Sequence, residues 1–216
     1  PFDPVKDFAG ITLIATVPLV MIVPSNSPAK TLKDFVAMAK ARPGQINVAN
    51  AGVSTTSFLS AAVFKQSAKI DVVHVPYRGA PEAVTAVVRG DAHMYFAPIP
   101  SAQELGAAGK VVVVAVNSPA RVPQMPHVPT IAEAGLADFR YESWFGMLAP
   151  AGTPGPILQK VSQDVANVLS RADIREKMQA QGALPVTTTP ERFDAIVRDD
   201  TAHNSKLLHD AGIGAR

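Results

Sequence analysis

The chain has 216 residues, 47% of them hydrophobic, enough for one large domain or two small ones with a buried core. Twenty basic side chains stand against 18 acidic ones, a formal charge of +2 scattered without a basic block, which excludes an electrostatic footprint for nucleic acid. The absence of cysteine excludes disulfides, thiolate zinc sites and a cysteine nucleophile, and no apolar run reaches the roughly 18 residues of a membrane span.

The chain opens at Pro1 rather than Met, with no charged leader, so further sequence is expected upstream. Apolar runs predict strands near 11–16 and 19–23. A helix pattern follows over 31–41, opened by Thr31 and stopped by Pro43-Gly44. A strand at 46–49 then breaks at Gly52 and restarts behind Ser54, Thr55 and Thr56 as a helix over 56–67. A strand at 72–75 passes in the same way through Tyr77, Arg78, Gly79 and Ala80 into a helix at 81–89. Beyond it come strand 93–97, helix 101–108, strand 111–116, helix 130–135 and strand 141–148. Helices at 156–170 and 172–180, a strand at 184–187 and a helix at 190–209 complete the series. Alternation of this kind predicts an α/β layer fold with a largely parallel sheet. Within 156–170, Ile157, Leu158, Val161, Val165, Val168 and Leu169 recur at helical spacing and predict one buried stripe.

Two apolar bridges, Ile11 to Val23 and Trp144 to Pro150, enclose the compact βα alternation and read as interdomain crossings. The expectation is a complete α/β lobe over 18–143, with 1–17 and 144–216 forming the hinge crossings and part of a second lobe. Trp144 and Phe145 are expected to serve as hinge packing. The C-terminal part has only 184–187 as a strand of its own, so its remaining sheet is expected from sequence outside the chain.

Ser54, Thr55 and Thr56 are residue types that cap a helix start, where unpaired N–H groups and the positive end of the helix dipole favour an anion. Two readings stand: a carboxylate seat, or an ordinary cap that serves folding. Arg78 is either a fork for a ligand carboxylate or a solvated charge beside a turn, and Tyr77 is either a ligand contact or a core-edge aromatic. Gly52-Val53-Ser54 starts like a nucleophile elbow, but Thr56 stands where that motif needs its second glycine. The five histidines show no metal-ligand spacing with a nearby carboxylate, and phosphate-binding glycine loops are absent. The residues therefore point to binding rather than catalysis, with no cofactor.

Six segments, PFDPVKDF, LIATVPLVMIVP, PAKTLKDFVAMAKARPGQINVANAG, IDVVHVPYRGAPEAV, VPTIAEAG and SWFGMLAPAGTP, together resemble the periplasmic solute-binding proteins of tripartite tricarboxylate transporters, the Bordetella-uptake type. The resemblance implies the α/β fold of type II periplasmic binding proteins, here one complete lobe plus the C-terminal half of the other. It also implies a periplasmic location, a small organic carboxylate as ligand and the membrane subunits of the transporter as partners. The family's ligand loops fall on Ala51, Gly52, Ser54, Thr55 and Thr56, and on Tyr77, Arg78, Gly79 and Ala80. A third family loop normally reads Phe-Asp-Asn; Ala97 stands here in place of the acid, which argues against an amino-acid ligand or against any tight ligand. The alternative is a truncated homologue that binds no solute and dimerises through its incomplete lobe.

Overall fold

In chain order the elements are strand β1 (Phe8–Thr16), strand β2 (Leu19–Pro24), helix α1 (Leu32–Ala41), strand β3 (Asn47–Asn50), helix α2 (Thr56–Ala68), strand β4 (Val73–Pro76) and helix α3 (Ala80–Arg89). Strand β5 (Met94–Pro98), helix α4 (Ile99–Ala107), strand β6 (Val111–Val116), strand β7 (Trp144–Pro150), helix α5 (Gly155–Leu169), helix α6 (Ala172–Ala180), strand β8 (Leu184–Pro185) and helix α7 (Pro190–Asp210) follow, in a computed structural model that describes residues 2–210. The chain divides into two units: Pro18–Glu142, and the described residues up to Val17 together with those from Ser143 onward.

In the unit Pro18–Glu142 five strands line up in the order β4-β3-β5-β2-β6. Strand β3 runs parallel to β4 and β5, while β2 lies antiparallel to both β5 and β6. The expectation of a largely parallel sheet is thus corrected: β3, β4, β5 and β6 share one direction, and β2 slots between β5 and β6 in reverse. Alternation of strands and helices foretells the co-directional set, but it carries no information on a strand that precedes the first helix. Every residue of β2 is buried, as a central strand covered on both faces requires. Phe35 of α1, Phe64 of α2 and Phe96 of β5 stack in sequence with centroids 6.1 and 6.0 Å apart. Each is at most 1% exposed, and burial of each contributes on the order of 2–3 kcal/mol.

The helix predicted over 130–135 is a turn instead. Thr130 N–H donates to Glu133 Oε2 at 2.8 Å and Glu133 N–H to Thr130 Oγ1 at 3.0 Å, the reciprocal pattern of a helix start. Thr130 also bridges to Val116, and Gly135 at φ +118° ends the turn before a helix can propagate. Helix α4 begins at Ile99, two residues before its predicted start, because Pro100 sits in the first turn, where a missing N–H costs nothing.

In the other unit β1 is flanked by β7 and β8, both antiparallel to it. Helix α7 packs on this sheet through Phe193 and Val197, which cluster with Leu13 and Trp144. Gly146 admits the Phe193 ring, with which any added Cβ would collide. Trp144 packs edge-on against Phe193 at 5.2 Å and donates its Nε1–H to Asp200. Phe145 is 64% exposed, which corrects its expected packing role. The predicted stripe on α5 is also only partly covered: Leu169 is buried, whereas Ile157 is 53% and Val168 49% exposed.

Candidate functional site

Parallel pairing is what assembles the candidate site. Asn50 lies opposite Pro76 in the β3–β4 ladder, so the loops that leave those strands emerge side by side. Tyr77 N–H donates to Asn50 O at 2.8 Å, and a Cβ on Gly52 would stand 3.9 Å from Tyr77 O. Helices α2, α3 and α4 each start directly beyond the C-terminal end of β3, β4 or β5. The order switches here, since the chain steps from β3 to β4 and then back across β3 to β5. A crevice at such a switch is where open α/β sheets hold ligands. Ala51, Gly52, Ser54, Thr55 and Thr56 thus share one edge with Tyr77, Arg78, Gly79 and Ala80. Ala97, also near that edge, is fully buried within β5 opposite Val20 and offers no surface.

The first loop is held by its own hydroxyls. Gly52 has φ +128° and Ser54 φ +65°, the second in a left-handed conformation that costs a non-glycine residue roughly 1–2 kcal/mol. Of the three hydroxyl residues, Thr55 is the N-cap: its Oγ1 accepts from Phe58 N–H at 3.4 Å and donates to Gly52 O at 2.8 Å. Thr55 has one hydroxyl proton, so in its 3.0 Å contact with Ser57 the serine is the donor. Ser57 Oγ in turn accepts from Ala51 N–H at 3.1 Å. Thr55 and Ser57 are therefore satisfied internally. Ser54 and Thr56 are exposed, and the N–H groups of Thr56 and Ser57, first in α2, have no helical acceptor. With no acidic residue in that first turn, the positive helix end is uncompensated.

The second loop is built differently. Gly79, the N-cap of α3, has φ 174°, plain extended backbone, and no side chain caps the helix. Pro81 removes one N–H from the first turn, and Arg78 N–H donates to the exposed Glu82 carboxylate at 3.2 Å. This helix start already carries an anion of its own. The Arg78 side chain is exposed and forms no salt bridge among the described residues. Tyr77 is half-buried and opens a groove of about 340 Å³ along α3, lined also by Pro81, Glu82, Thr85, Arg89 and Asp91.

Beneath the first loop lie buried polar groups that sequence patterns do not single out. Ser60 Oγ donates to Thr56 O at 2.8 Å and accepts from Asn117 Nδ2 at 2.9 Å, while Asn117 Oδ1 accepts from Leu19 N–H at 2.7 Å. Asn50 Nδ2 donates to Val48 O and lies 3.3 Å from His74 Nδ1, and the His74 ring packs on Phe58 at 4.9 Å. Burial, and secondarily the charge of Lys65, lower the His74 pKa below 6.5. Burial raises the Tyr95 hydroxyl above 10.0, opposed by a hydrogen bond with Ser57. A serine two places past a cap, followed by apolar residues, is the one sequence signal for Ser57.

Among the described residues no three His, Cys, Asp or Glu side chains gather as a metal would need, and no helix is long and apolar enough to cross a membrane. Ser54 has no hydrogen-bonded histidine among them, and although it sits at positive φ between a strand and a helix, Thr56 stands where a nucleophile elbow has its second glycine.

Comparison with known proteins agrees with a binding role. A family described as "Tripartite tricarboxylate transporter family receptor" matches residues 1–213. A protein from a Pseudomonas species, named for the tcbD-tcbE intergenic region, is 32% identical over 209 residues, 96% of this chain and 62% of its own length. The chain thus spans under two thirds of that curated relative. An R. palustris protein solved with adipate superposes with TM-score 0.82 at 30% identity, covering 99% of this chain and 71% of that one. MatC of Rhodopseudomonas palustris, solved with bound malate, gives TM-score 0.78 at 29% identity over 96% of this chain and 71% of its own. The matched family is one of receptors rather than enzymes, and the periplasmic binding protein BugD shares the fold at TM-score 0.79 and 27% identity, over 100% of this chain and 73% of its own. The chain belongs to the tripartite tricarboxylate transporter receptor family.

Proposed function

We propose that the chain is part of a periplasmic receptor that captures a small organic carboxylate and presents it to the membrane subunits of a tripartite transporter. The observation that carries this reading is the uncompensated start of α2, where the N–H groups of Thr56 and Ser57 have no helical acceptor and the exposed Ser54 and Thr56 stand in the same turn. Val53, 57% exposed at the tip of the same loop, suits an apolar carbon chain attached to the carboxylate. The neighbouring β4–α3 loop, with Glu82 on its helix start, suits a hydroxyl or other donor better than a second carboxylate. Residues 18–143 form one wall of the site in this reading, and 1–17 with 144–216 form the crossings and part of a second lobe. Adipate and malate are held by the structural neighbours, so dicarboxylates are the first solutes to try.

Calorimetric titration of mono-, di- and tricarboxylates into the product of the reading frame that encodes the chain tests this. Saturable heat with at least one of them is expected, and silence across the panel would sink the proposal. A second reading, self-association through the smaller unit, is favoured by the exposure of Phe145, Ile157 and Val168. Light scattering separates the two: a dimer whose formation is abolished by Phe145→Asp supports it, and a monomer removes it.

A further inference from the structure

The feature that the binding proposal leaves unused is a serine which no ligand can reach through its hydroxyl. Ser57 is 3% exposed, its proton is committed to Thr55 Oγ1, and its lone pairs accept from Ala51 N–H and from the buried Tyr95 hydroxyl. It stands on the first turn of α2, yet it ties down the backbone at the end of β3, six residues earlier. Between the two tied points lie Gly52 and Ser54, the two positive-φ residues of the loop. Conformations of that kind persist only where the surroundings over-determine them. Thr55 supplies one tie, to Gly52 O at 2.8 Å, and Ser57 supplies the other.

From this geometry we infer that Ser57 is a positioning residue of the carboxylate seat: it touches no solute through its side chain, and it holds the shape of the Ala51–Thr55 loop that leads into the start of α2. The inference rests on the receptor reading for its effect on affinity, but not for its effect on the loop. Removing the hydroxyl frees Ala51 N–H, leaves the Thr55 oxygen without its second donor and takes a partner from the Tyr95 hydroxyl. The loop then samples relaxed conformations, and only a fraction of molecules present the seat. Apparent affinity falls by that fraction, although the groups that meet the solute are all still in place.

Two measurements on Ser57→Ala, Ser57→Thr and the parent protein test this. The first is hydrogen exchange of the ligand-free protein, resolved by residue. Ala51 N–H is expected to exchange at least tenfold faster in Ser57→Ala, with the amides of β2 and β6 unchanged, and to recover in Ser57→Thr, which restores the hydroxyl. The second is titration with adipate, where Ser57→Ala is expected to bind about tenfold more weakly and Ser57→Thr to recover most of the loss. Equal Ala51 protection in all three proteins overturns the inference. So does an acceleration in Ser57→Ala that spreads equally over β2 and β6, since that reports general destabilisation. If the parent protein binds no carboxylate, the receptor reading fails while the exchange experiment still decides the role of Ser57.

Discussion

The β3–α2 and β4–α3 loops look alike in sequence, each passing from a strand through glycine into a helix, yet they are built on opposite plans. The first is a strained turn, braced by the hydroxyls of Thr55 and the buried Ser57, and its helix start is left without an anion. The second is relaxed backbone whose helix start carries the exposed Glu82 carboxylate. The contrast teaches that a helix N-terminus becomes an anion site only when nothing local neutralises it. It also teaches that a turn which must keep its N–H groups free has to be held by something other than those groups.

The sharpest way to break the comparison is to place the same side chain on both glycines. Gly52→Ala forces an L-residue into φ +128° and is expected to cost about 1–3 kcal/mol, with loss of carboxylate binding. Gly79→Ala meets only ordinary contact with Pro81 at φ 174° and is expected to cost about 0.5 kcal/mol, the difference between glycine and alanine at an N-cap. Urea unfolding of both variants measures the difference; equal costs would erase the distinction between the loops.

Acid is expected to act on the underside of the first loop. His74 has its pKa lowered by burial and then by Lys65, so the unfolded chain takes up a proton before the folded one does. The stability this represents is complete above 6.5, the unfolded value, and is lost as pH falls from there toward the depressed folded value. His93 is lowered as well, by burial and Arg42, and adds to the same slope. Unfolding midpoints at pH 7.5 and 5.5 should therefore differ in the parent protein and differ less in His74→Gln. An undiminished slope in the variant would remove His74 from this account.

The smallest expected effect sharpens the second loop. Glu82→Gln removes an exposed carboxylate from the start of α3 and should lower stability by about 0.3–1 kcal/mol at low salt. It should also raise affinity for a dicarboxylate several-fold relative to a monocarboxylate. Titration of both solutes reads the ratio, and an unchanged ratio would place Glu82 outside the site's influence.

Much of this contrast is legible in the sequence, and the missing part has a physical cause. Gly52 with three hydroxyl residues, and Gly79 after Tyr77-Arg78, mark both loops, because glycine and cap residues act locally. Which hydroxyl caps the helix and which sits left-handed follows from how single protons are shared among Thr55, Ser57 and Gly52 O, a matter of folded geometry. Ser57 does not stand out in the sequence because its partner, Ala51 N–H, is six residues away. The pattern at 130–135 reads as a helix because Thr130 and Glu133 form a true helix start, with no apolar run to continue it. The direction of β2 is hidden because pairing partners, not residue types, decide it.

If the start of α2 seats the solute's carboxylate, as proposed, one substitution separates that role from folding. Thr56→Asp puts a carboxylate at the exposed first position of α2, which favours the helix by about 0.3–1 kcal/mol while occupying the seat. Titration of adipate into the parent protein and this variant, with melting temperatures measured alongside, is the direct test. Binding in the parent that falls more than tenfold in an equally or more stable Thr56→Asp is the predicted result. Equal affinity in the two proteins would contradict the account.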